Sequence, residues 1–475
     1  MTLETVIGLE THVELATASK LLCSCATGFG AAANTQCCPV CAGLPGALPA
    51  LNSKAVDYAI MAGLALGCEI AEQIYFDRKH YFYPDLPKSY QVTQLRRPIA
   101  QNGLVELDSG ASIHIREPHL EEDAGRLLHD ADAGATLCDY NRCGVPLIEI
   151  VTDPDFRTPE EVISYLELLR GSLRYLGVSD CKMEEGSLRC DVNISVRPAG
   201  STTMGQRTEL KNLGSLKAIS KAIRYETQRQ IALLESGAYV LPETRRWDES
   251  AEVTHPMRAK ETPEDYRPLP EPDLPPFSLS DSHIAALRAS LPALPQARRQ
   301  RYQHTFGLSA YDAEMITSQK ALANLFEAAV ALGAPPKQCA NWIMGEVLRT
   351  LSALGLEAED ITFSPAALAR LIALVEGGTL NRGTAVAVFD ALFERGGDVD
   401  SYVAAHGLGQ VSDRALIAQA VAAAFASYPQ SVDDYRSGKE KALAFLVGQV
   451  MRLLGGKGNP LAVNQAVRDR LDGGT

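Results

Sequence analysis

The sequence predicts an α+β fold, in which a half that mixes strands and helices precedes a half that is helical throughout. Three observations support this prediction. Up to about residue 260, short runs of alternating apolar and polar residues are interspersed with helical segments. A proline-rich segment, 263–276, then interrupts the chain. From Ser282 onward, Ala and Leu recur at helical spacing, which is typical of a helical domain.

Three helices of the first half are marked by their start and stop residues. Residues 52–67 show Ala-rich apolar spacing after a small polar start. Thr158 and Pro159 supply an N-cap and a first-turn proline for a second helix, which Gly177 should end. A third helix is expected over 215–235, again followed by a glycine. Between these helices, runs of period two predict short strands.

Prolines and glycines predict the domain organisation. The segment 263–276 cannot be a helix or a central strand, because proline lacks an amide hydrogen and its ring obstructs a helix. We interpret this segment as an extended strap and a domain boundary. Glycines cluster again within 394–413, which indicates a second break. The predicted domains are therefore 1–275, 276–405 and 406–475.

The composition excludes several classes of function. The chain has 475 residues and a net charge of -13, which argues against a sequence-blind DNA-binding protein or a membrane-surface binder. The N-terminus lacks the basic start and apolar run of a secretory signal, and no stretch reaches the ~18 apolar residues that span a bilayer. We therefore expect a cytoplasmic protein with no membrane and no DNA partner. In that compartment, the 11 cysteines favour metal ligation over disulfides.

Isolated acids occur in four strand-like stretches, and one stretch adds a histidine. The residues are Glu10 with His12, Glu122, Glu149 and Asp191. An unpaired buried charge is costly, whereas a shared divalent cation keeps several carboxylates ionised together. The pattern therefore predicts a Mg²⁺ site on one face of a sheet, of the kind that carries a nucleotide phosphate. The alternative is that each acid is an ordinary strand residue with an ion-pair partner.

Strand alternation strengthens the prediction for three of these residues. Glu10 and His12 are two residues apart, so both side chains point to one face, about 7 Å from each other along the strand. Glu149 is flanked on both sides by apolar residues in the run ProLeuIleGluIleVal. A carboxylate in such a run is either paired or bound to a metal.

Four cysteines near the N-terminus have metal-ligand spacing. Cys23-x-Cys25 is followed, after twelve residues, by Cys38-x-x-Cys41. Tetrahedral Zn²⁺ with four thiolates is the natural occupant, and a closed site of this kind is structural. Cys37 lies beside Cys38, so the identity of one ligand is ambiguous. The alternative is a set of buried, reduced cysteines.

A loop that combines aromatic and basic residues spans 76–91. Lysines suit phosphate and flat rings suit a purine, so Lys79, Tyr81, Lys88 and Tyr90 are candidate nucleotide contacts. A core strand with a solvated basic edge is the alternative.

The sequence contains neither G-x-x-x-x-G-K-[ST] nor G-x-G-x-x-G, so metal and side chains would have to hold the nucleotide. It also lacks a G-x-S-x-G elbow, so another chain would have to release ammonia from an amide donor.

Eight motifs of the chain, in the same order, resemble those of one family. They lie at 8–15, 34–49, 76–91, 121–125, 141–151, 182–195, 340–346 and 456–464. The family is the B subunit of the tRNA-dependent amidotransferase. That enzyme is a heterotrimer, which turns Glu-tRNA(Gln) into Gln-tRNA(Gln) or Asp-tRNA(Asn) into Asn-tRNA(Asn).

The resemblance implies a glutamine-synthetase-like antiparallel-sheet cradle, followed by an all-α helical domain and a small helical tail domain that engages tRNA. It also implies the chemistry. ATP phosphorylates the side-chain carboxylate of the misacylated tRNA, and ammonia then displaces the phosphate. The A subunit, which is the glutaminase, supplies that ammonia, and the C subunit completes the heterotrimer.

The resemblance also implies the metal ligands. His12, Glu122 and Glu149 look like the main Mg²⁺ ligands. Glu10 and Asp191 look like holders of a second, weaker Mg²⁺. ATP, Mg²⁺ and a structural Zn²⁺ are the cofactors that follow.

Lys79 would contact the nucleotide phosphates. Two metals and a lysine can clamp a transferring phosphoryl group by charge and by positioning. Lys79, Glu10 and Asp191 are therefore the expected catalytic residues.

Basic residues of the tail are the expected tRNA contacts. Residues 410–475 hold eight Lys or Arg against six Asp or Glu. Lys439, Lys441, Arg452 and Lys457 are the candidates, because a local basic patch can bind the RNA backbone. The alternative is that they belong to ordinary solvated helix faces.

Two further functions compete with this one. The first is a zinc-stabilised RNA-binding scaffold whose carboxylates form structural ion pairs. The second is a free-standing ligase for a small acid.

Overall fold

The chain forms two compact units, Met1–Pro295 and Gln296–Thr475. The structure is a computed structural model. It describes residues 2–130, 132, 134–257, 263–409 and 414–473.

The first unit contains all the strands that the structure describes. Numbered along the chain, they are β1 (Leu3–Glu14), β2 (Glu69–Ile70), β3 (Gln73–Ile74), β4 (Asp77–His80), β5 (Tyr90–Thr93), β6 (Ala100–Gln101), β7 (Gly103–Glu106), β8 (Ser112–Glu122), β9 (Arg126–Asp130), β10 (Ala135–Asp139), β11 (Pro146–Thr152), β12 (Leu188–Pro198), β13 (Thr208–Lys211), β14 (Thr244–Asp248), β15 (Val253–Pro256), β16 (Leu269–Pro270) and β17 (Phe277–Ser278).

The helices of the first unit begin and end at the expected signals. They are α1 (Ser53–Ala65), α2 (Pro159–Leu176), α3 (Leu216–Glu235) and α4 (Asp281–Ser290). The Asn52 side chain accepts two amides at the start of α1. Thr158 and Glu161 form a reciprocal capping box on α2. Gly177 ends α2 with a φ of 71°, in the left-handed region that a residue without Cβ adopts at low cost. The three predicted helices are confirmed.

An eight-stranded sheet organises the first unit. Its strand order is β15-β14-β13-β12-β1-β11-β8-β7, and its pairs are antiparallel except β13 with β14. One face is apolar and packs with α1, α2 and α3 into a single hydrophobic core. The other face carries the polar residues of β1, β11 and β12, so the core positions these side chains on one rigid surface.

The proline-rich strap lies against the first unit. A 3₁₀ turn at Pro263–Tyr266 precedes β16, which pairs with β4, and β17 pairs with β3. Glu271 of the strap accepts two hydrogen bonds of 2.8 Å from Arg78. The helix α4 then packs on α1, where His283 lies 2.7 Å from Asp57. These contacts explain why the first unit extends to Pro295.

The secondary-structure elements that the structure describes in the second unit are helices and helical turns, joined by loops. Its helices are α5 (Pro295–Phe306), α6 (Ala310–Thr317), α7 (Lys320–Ala331), α8 (Pro336–Trp342), α9 (Leu348–Leu354), α10 (Pro365–Glu376), α11 (Arg382–Arg395), α12 (Val399–Ala405), α13 (Arg414–Ser427), α14 (Pro429–Arg436), α15 (Lys441–Leu453) and α16 (Pro460–Asp472). A π-helical turn, Ile343–Val347, joins α8 to α9, and a 3₁₀ turn lies at Ala358–Asp360.

The helices α13 to α16 share a hydrophobic cluster of their own. The predicted break at 394–413 coincides with the ends of α11 and α12, where Gly396 and Gly407 have positive φ. The last part of that break, 410–413, lies outside the described residues. The α+β class with a helical C-terminal region is confirmed, whereas the domain boundaries at 275 and 405 stay predictions. Within the described ranges, every helix is too short or too polar to cross a bilayer.

Candidate active site and metal centres

Strand register brings four of the five predicted acidic-site residues together. On the polar face of β1, Glu10 stands directly opposite Asp191 of β12. On the same face, His12 stands directly opposite Glu149 of β11. Opposed residues of antiparallel strands have Cβ atoms about 5 Å apart. Three strands that are distant in sequence therefore present one continuous acidic surface.

The first triad consists of His12, Glu121 and Glu149, whose ligand atoms lie within 4.8 Å of one another. The Nε2 atom of His12 is 3.9 Å from Glu121 Oε1 and 3.8 Å from Glu149 Oε1. Mg²⁺ binds its ligands at about 2.0–2.1 Å, so two ligand atoms of one ion are separated by at most about 4.2 Å. The donor set and the spacing fit one Mg²⁺, with coordination positions left for phosphate.

Glu122, the ligand expected from the sequence, does not belong to this triad. Successive strand residues point to opposite faces, so Glu121 of β8 faces His12 and Glu122 faces away. Glu122 Oε2 pairs with the Lys88 ammonium and accepts the Val92 amide at 3.2 Å. The structure thus places Glu121 where the sequence led us to expect Glu122, because the run Glu121-Glu122-Asp123 offers no apolar residue that marks which side is the core. Metal ligation by Glu122 stays a prediction.

Burial and neighbouring charges shift the pKa values of the two glutamates of the first triad in opposite directions. Burial, reinforced by Glu149, raises the pKa of Glu121. Burial also acts to raise the pKa of Glu149, but His12, His119 and two lysines outweigh it and hold the pKa of Glu149 below its ordinary value. The His119 ring is buried, stands opposite Glu149 in register and lies 3.2 Å from Glu117. A divalent cation would resolve the crowding of negative charge around Glu121.

The second triad consists of Glu10, Asp191 and Glu209. Lys211 lies beside it, with its ammonium paired to Asp191 and 3.4 Å from Glu209. Lys211 also lowers the pKa of Glu149 in the first triad, so its charge acts on both centres. The donor set of three carboxylates fits a hard cation such as Mg²⁺.

Sequence reasoning missed Glu209 and Lys211. Both lie on the short strand β13, in the run ThrGluLeuLys. Their spacing of two residues places them on one face, and a charged pair alternating with buried Thr208 and Leu210 was the available signal. Nothing in four residues indicates that this strand lies next to β12.

Lys79 and Tyr81 lie where the strap meets β4. The charge of Lys79 acts to lower the pKa values of Glu121 and Glu149, although burial keeps that of Glu121 raised. The Lys79 ammonium lies 4.7 Å from the centre of the Tyr266 ring. Tyr81 contacts the same ring edge-on at 6.3 Å. A cavity of about 900 Å³ opens here. Its lining residues in the described part of the chain are His80, Tyr81, Phe82, Asp265, Tyr266, Arg267, Pro268 and Leu269.

Tyr90 and Lys88 are not part of the cavity lining, although the Tyr90 ring lies 5.8 Å from the ring of His80, which is. The Arg78 guanidinium stacks 4.2 Å from the Tyr90 ring centre, and Arg78 is in turn held by Glu271. The Lys88 side chain is only 8% exposed and is paired with Glu122. The structure therefore gives Lys88 and Tyr90 partners within the chain, and the expectation that both contact the nucleotide stays a prediction.

The four predicted cysteine ligands converge. Cys23, Cys25, Cys38 and Cys41 place their sulfurs within 4.8 Å of one another, and the Cys38 and Cys41 sulfurs are 3.9 Å apart. Tetrahedral Zn²⁺ with Zn–S bonds of about 2.3 Å requires sulfurs about 3.8 Å apart, so the set fits that ion. We call residues 23–41 the cysteine knuckle.

Cys37 lies outside this set, with its sulfur 3.9 Å from Asn141 Oδ1. The structure thus resolves the ambiguity between Cys37 and Cys38 in favour of Cys38.

A buried lysine faces the knuckle. Lys20 is fully buried, and its ammonium lies 3.6 Å from the Cys41 sulfur and donates to the Tyr140 carbonyl at 3.2 Å. The Cys23 thiol, the Cys38 amide and Lys20 together lower the pKa of Cys41 to about 4. A lowered thiol pKa favours metal capture, because the thiolate is the form that binds the ion.

The four candidate tRNA contacts of the tail differ in whether the structure gives their charged groups a partner within the chain. Lys439 pairs with Asp434 at 2.9 Å, and the Lys457 ammonium donates to the Gly407 carbonyl at 2.7 Å. Lys441 and Arg452 are exposed at the two ends of α15. They are eleven residues apart, which is close to three full turns, so both lie on the same side of that helix.

The fold and the site define a class of protein. It has a large, mainly antiparallel sheet that presents two carboxylate triads with lysines beside them, a four-cysteine knuckle, and a helical C-terminal unit. A family model described as the GatB/GatE catalytic domain matches residues 5–285, and one described as the GatB domain matches residues 324–471.

Relatives match over nearly the whole chain. The chain is 52% identical, over 99% of its length and 100% of the relative's, to a protein of Caldicellulosiruptor saccharolyticus that is named as the B subunit of aspartyl/glutamyl-tRNA(Asn/Gln) amidotransferase. Proteins of the same name from Caldicellulosiruptor bescii and Lachnoclostridium phytofermentans are 51% and 50% identical, over 99% and 98% of this chain and 100% and 98% of theirs. The chain belongs to the family of amidotransferase B subunits, as the motifs predicted.

Proposed function

We propose that this protein catalyses ATP-dependent amidation of the side-chain carboxylate of misacylated Glu-tRNA(Gln), Asp-tRNA(Asn) or both. The observation that carries the proposal is the pair of acidic triads on one sheet face, joined through Glu10 and His12 of a single strand. Two divalent ions held side by side suit phosphoryl transfer. The names of the relatives supply the substrate class.

The reaction requires activation of a carboxylate. A carboxylate resists attack by ammonia because its oxygen is a poor leaving group, and phosphorylation converts it into an acyl phosphate. His12, Glu121 and Glu149 would hold one Mg²⁺, and Glu10, Asp191 and Glu209 a second. When bound, these ions supply charge neutralisation and in-line orientation of the phosphates.

Two lysines complete the catalytic surface. Lys79 and Lys211 both act to lower the pKa of Glu149, and the Lys211 ammonium also pairs with Asp191 of the second triad. We assign them to the transferring phosphoryl group, which they stabilise by charge. Lys211 would leave Asp191 when the second ion binds, and it would then be available to phosphate.

The cavity at Tyr81 is the proposed adenine site. Its aromatic lining and its position beside Lys79 suit a flat base whose phosphates extend toward the triads. The proline-rich strap forms one wall of the cavity, since Tyr266 and Arg267 belong to it. The strap would therefore position ATP.

The tail would bind tRNA through one side of α15. Lys441 and Arg452 flank the exposed Phe445 along that side, and cations that alternate with an aromatic ring suit the RNA backbone and an unstacked base. Lys439 and Lys457, which have partners within the chain, would contribute less.

The cysteine knuckle would hold a structural Zn²⁺. Its four thiolates leave no open coordination position for substrate. Gly43, just beyond the knuckle, packs so closely against Lys88 that an added Cβ would lie 2.7 Å from that side chain. Through the Lys88–Glu122 pair, the knuckle would stabilise the end of β8 that carries Glu121.

The protein would act with two partners in the cytoplasm. The A subunit of the amidotransferase, a glutaminase, would release the ammonia, because this sequence has no serine-nucleophile elbow. The C subunit would complete the heterotrimer.

The test is tRNA-stimulated ATP hydrolysis and amidation by the reconstituted heterotrimer, with glutamine or ammonium as donor. Wild type should hydrolyse ATP faster with misacylated tRNA than with deacylated tRNA. Glu149→Gln should abolish that stimulation while tRNA binding is retained. Equal activity of wild type and Glu149→Gln would instead support an RNA-binding scaffold, and equal stimulation by free glutamate would support a small-acid ligase.

A further inference from the structure

The loop that joins α15 to α16 makes two side-chain hydrogen bonds to the preceding part of the second unit. The Lys457 ammonium donates to the Gly407 carbonyl at 2.7 Å, and the Asn459 amide donates to the Gly378 carbonyl at 3.2 Å. Gly407 comes just after α12, and Gly378 comes just after α10. Two neighbouring donors of one loop therefore reach the ends of two helices.

The two acceptors belong to elements that pack together, which we call the platform. The helix α10 packs with α12. Arg370 of α10 also pairs with Asp400 of α12 through hydrogen bonds of 2.8 to 3.0 Å that involve both carboxylate oxygens. A forked pair of this kind sets an orientation as well as a distance. The platform therefore presents the two carbonyls in a defined arrangement.

The helices α13 to α16, which we call the tail module, share one hydrophobic cluster. Among the described residues, every member of that cluster lies between Ile417 and Leu471. The cluster therefore stabilises the module itself, and docking of the module on the platform relies on contacts outside the cluster. Hydrogen bonds are directional, so the two bonds of the loop can fix the orientation of the module.

The Asn459 side chain has two roles. Its Oδ1 atom accepts the Leu461 and Ala462 amides and so caps α16, while its amide nitrogen bonds to Gly378. The start of α16 is therefore tied to the end of α10 through one side chain. The close approach requires glycine at 378, because φ there is 67° and an added Cβ would lie 2.7 Å from the Asn459 nitrogen.

We propose that Lys457 and Asn459 form a latch that docks the tail module on the platform and so orients α15 for the tRNA. The inference rests on the proposed function, in which Lys441 and Arg452 of α15 contact the tRNA. Both latch residues are positioning residues that act through the platform carbonyls and not by touching a phosphate. A module that is oriented before binding loses less conformational entropy when the tRNA binds. The latch therefore increases the affinity for tRNA and leaves the chemical step unchanged.

The first measurement needs no tRNA. In the heterotrimer, spin-labelled non-canonical residues replace the exposed Glu394 of α11 and Gln419 of α13, and their separation reports how the module is docked. Wild type should give one narrow distance distribution, and Gly378→Ala should broaden it because the new Cβ displaces Asn459. Gly355→Ala is the matched control, since Gly355 has a φ of 64° but nothing within 4 Å of an added Cβ. A broad distribution in wild type, or a narrow one in Gly378→Ala, would overturn the inference.

The second measurement separates KM from kcat in ammonium-dependent amidation of Glu-tRNA(Gln) by the heterotrimer. Asn459→Ser should raise KM for the tRNA about tenfold and leave kcat unchanged, because serine still caps α16 but is too short to reach Gly378. Asn381→Ser, at the N-cap of α11, is the matched control and should change neither constant. A lower kcat with an unchanged KM in Asn459→Ser would contradict the latch.

Salt dependence separates the latch from a direct phosphate contact at Lys457. Lys457→Met should weaken tRNA binding without changing the slope of log Kd against log salt, whereas loss of a phosphate contact lowers that slope by about one. Lys441→Met, at a proposed contact, should show the lower slope, and the same result for Lys457→Met would remove Lys457 from the latch. If wild type neither binds nor amidates tRNA, the proposed function fails, while the distance distributions of the tRNA-free complex still decide whether the latch exists.

Discussion

The cysteine knuckle and the acidic triads are both ligand sets, but they are assembled at different ranges of sequence. All four sulfurs of the knuckle come from the stretch between Cys23 and Cys41. The six triad residues come from five strands, and their numbers run from 10 to 209. Ligand spacing along the chain therefore identifies a local metal site, whereas strand register decides which residues belong to a distributed one.

The two regions also differ in how their charge is balanced. The knuckle brings four thiol groups together, and one of them, that of Cys41, lies 3.6 Å from the buried ammonium of Lys20. The triads combine partly exposed ligands with the buried carboxylates of Glu121 and Glu209, and the Lys211 ammonium pairs with Asp191. Four thiolates complete the coordination of a structural ion, whereas carboxylates with a lysine beside them suit ions that arrive with a nucleotide.

The largest expected effect comes from removing the charge of Glu121 in the first triad, compared with the same change at its neighbour Glu122. Glu121→Gln should lower tRNA-stimulated ATP hydrolysis about 10²-fold or more, because a ligand charge is removed from the phosphoryl-transfer site. It should also raise the Mg²⁺ concentration for half-maximal activity. Steady-state ATPase rates at varied Mg²⁺ provide the measurement.

Glu122→Gln is the matched control for that variant. It keeps the hydrogen bond from the Val92 amide within reach and weakens only the pairing with Lys88, so activity should fall by less than about tenfold. A larger loss in Glu122→Gln than in Glu121→Gln would contradict the assignment of β8 faces.

The next effect concerns Lys211, which competes with an ion for the second triad. Lys211→Met should lower the rate of phosphoryl transfer about 10²-fold. Because Asp191 and Glu209 lose their cation, the same variant should bind the second ion more tightly and reach half-maximal activity at lower Mg²⁺. Rapid-mixing ATPase measurements at varied Mg²⁺ separate the two effects.

Lys221→Met serves as the reference for Lys211, since Lys221 is paired on the surface with Glu252. Lys221→Met should change neither the rate of phosphoryl transfer nor the Mg²⁺ concentration for half-maximal activity. A Lys211 variant with a normal rate would remove this lysine from the catalytic surface.

A smaller effect is expected at the knuckle. Cys41→Ser should lose bound zinc and lower the melting temperature by about 5 °C, while ATP hydrolysis at low temperature stays within a few-fold of wild type. Cys37→Ser should keep the zinc, because Cys37 lies outside the tetrahedral set. Zinc content after desalting and differential scanning calorimetry test both variants, and zinc loss from Cys37→Ser would contradict the ligand set.

The smallest effect is expected at Lys20. Lys20→Met should weaken zinc retention about tenfold, since the ammonium no longer compensates the charge of the thiolates. Folding stability should change little, because Met fills a similar volume in a buried position. Competition with a chromogenic chelator measures the affinity, with Lys54→Met on the exposed start of α1 as control. An unchanged affinity would make Lys20 a packing residue only.

Much of the fold was predictable because its signals are local. The caps at Asn52, Thr158 and Ser215 act within one helical turn, so they predicted three helices. Proline in the strap excluded a helix there, and the structure shows only a short 3₁₀ turn and two-residue strands. What the prolines could not indicate is that the strap turns back to pair with β4 and carries Tyr266 to Lys79.

The sequence by itself determined the helices, the cysteine ligands, and the presence of an acidic face on β1, β11 and β12. Only the tertiary structure decided which acid of the run Glu121-Glu122-Asp123 faces His12, because a shift of one residue inverts every side chain of a strand. The three acids take three different partners: Glu121 faces the triad, Glu122 pairs with Lys88, and Asp123 pairs with Arg189 at 2.9 Å. Glu209 and Lys211 joined the site for the same reason, since hydrogen bonds between strands, and not spacing along the chain, place β13 beside β12.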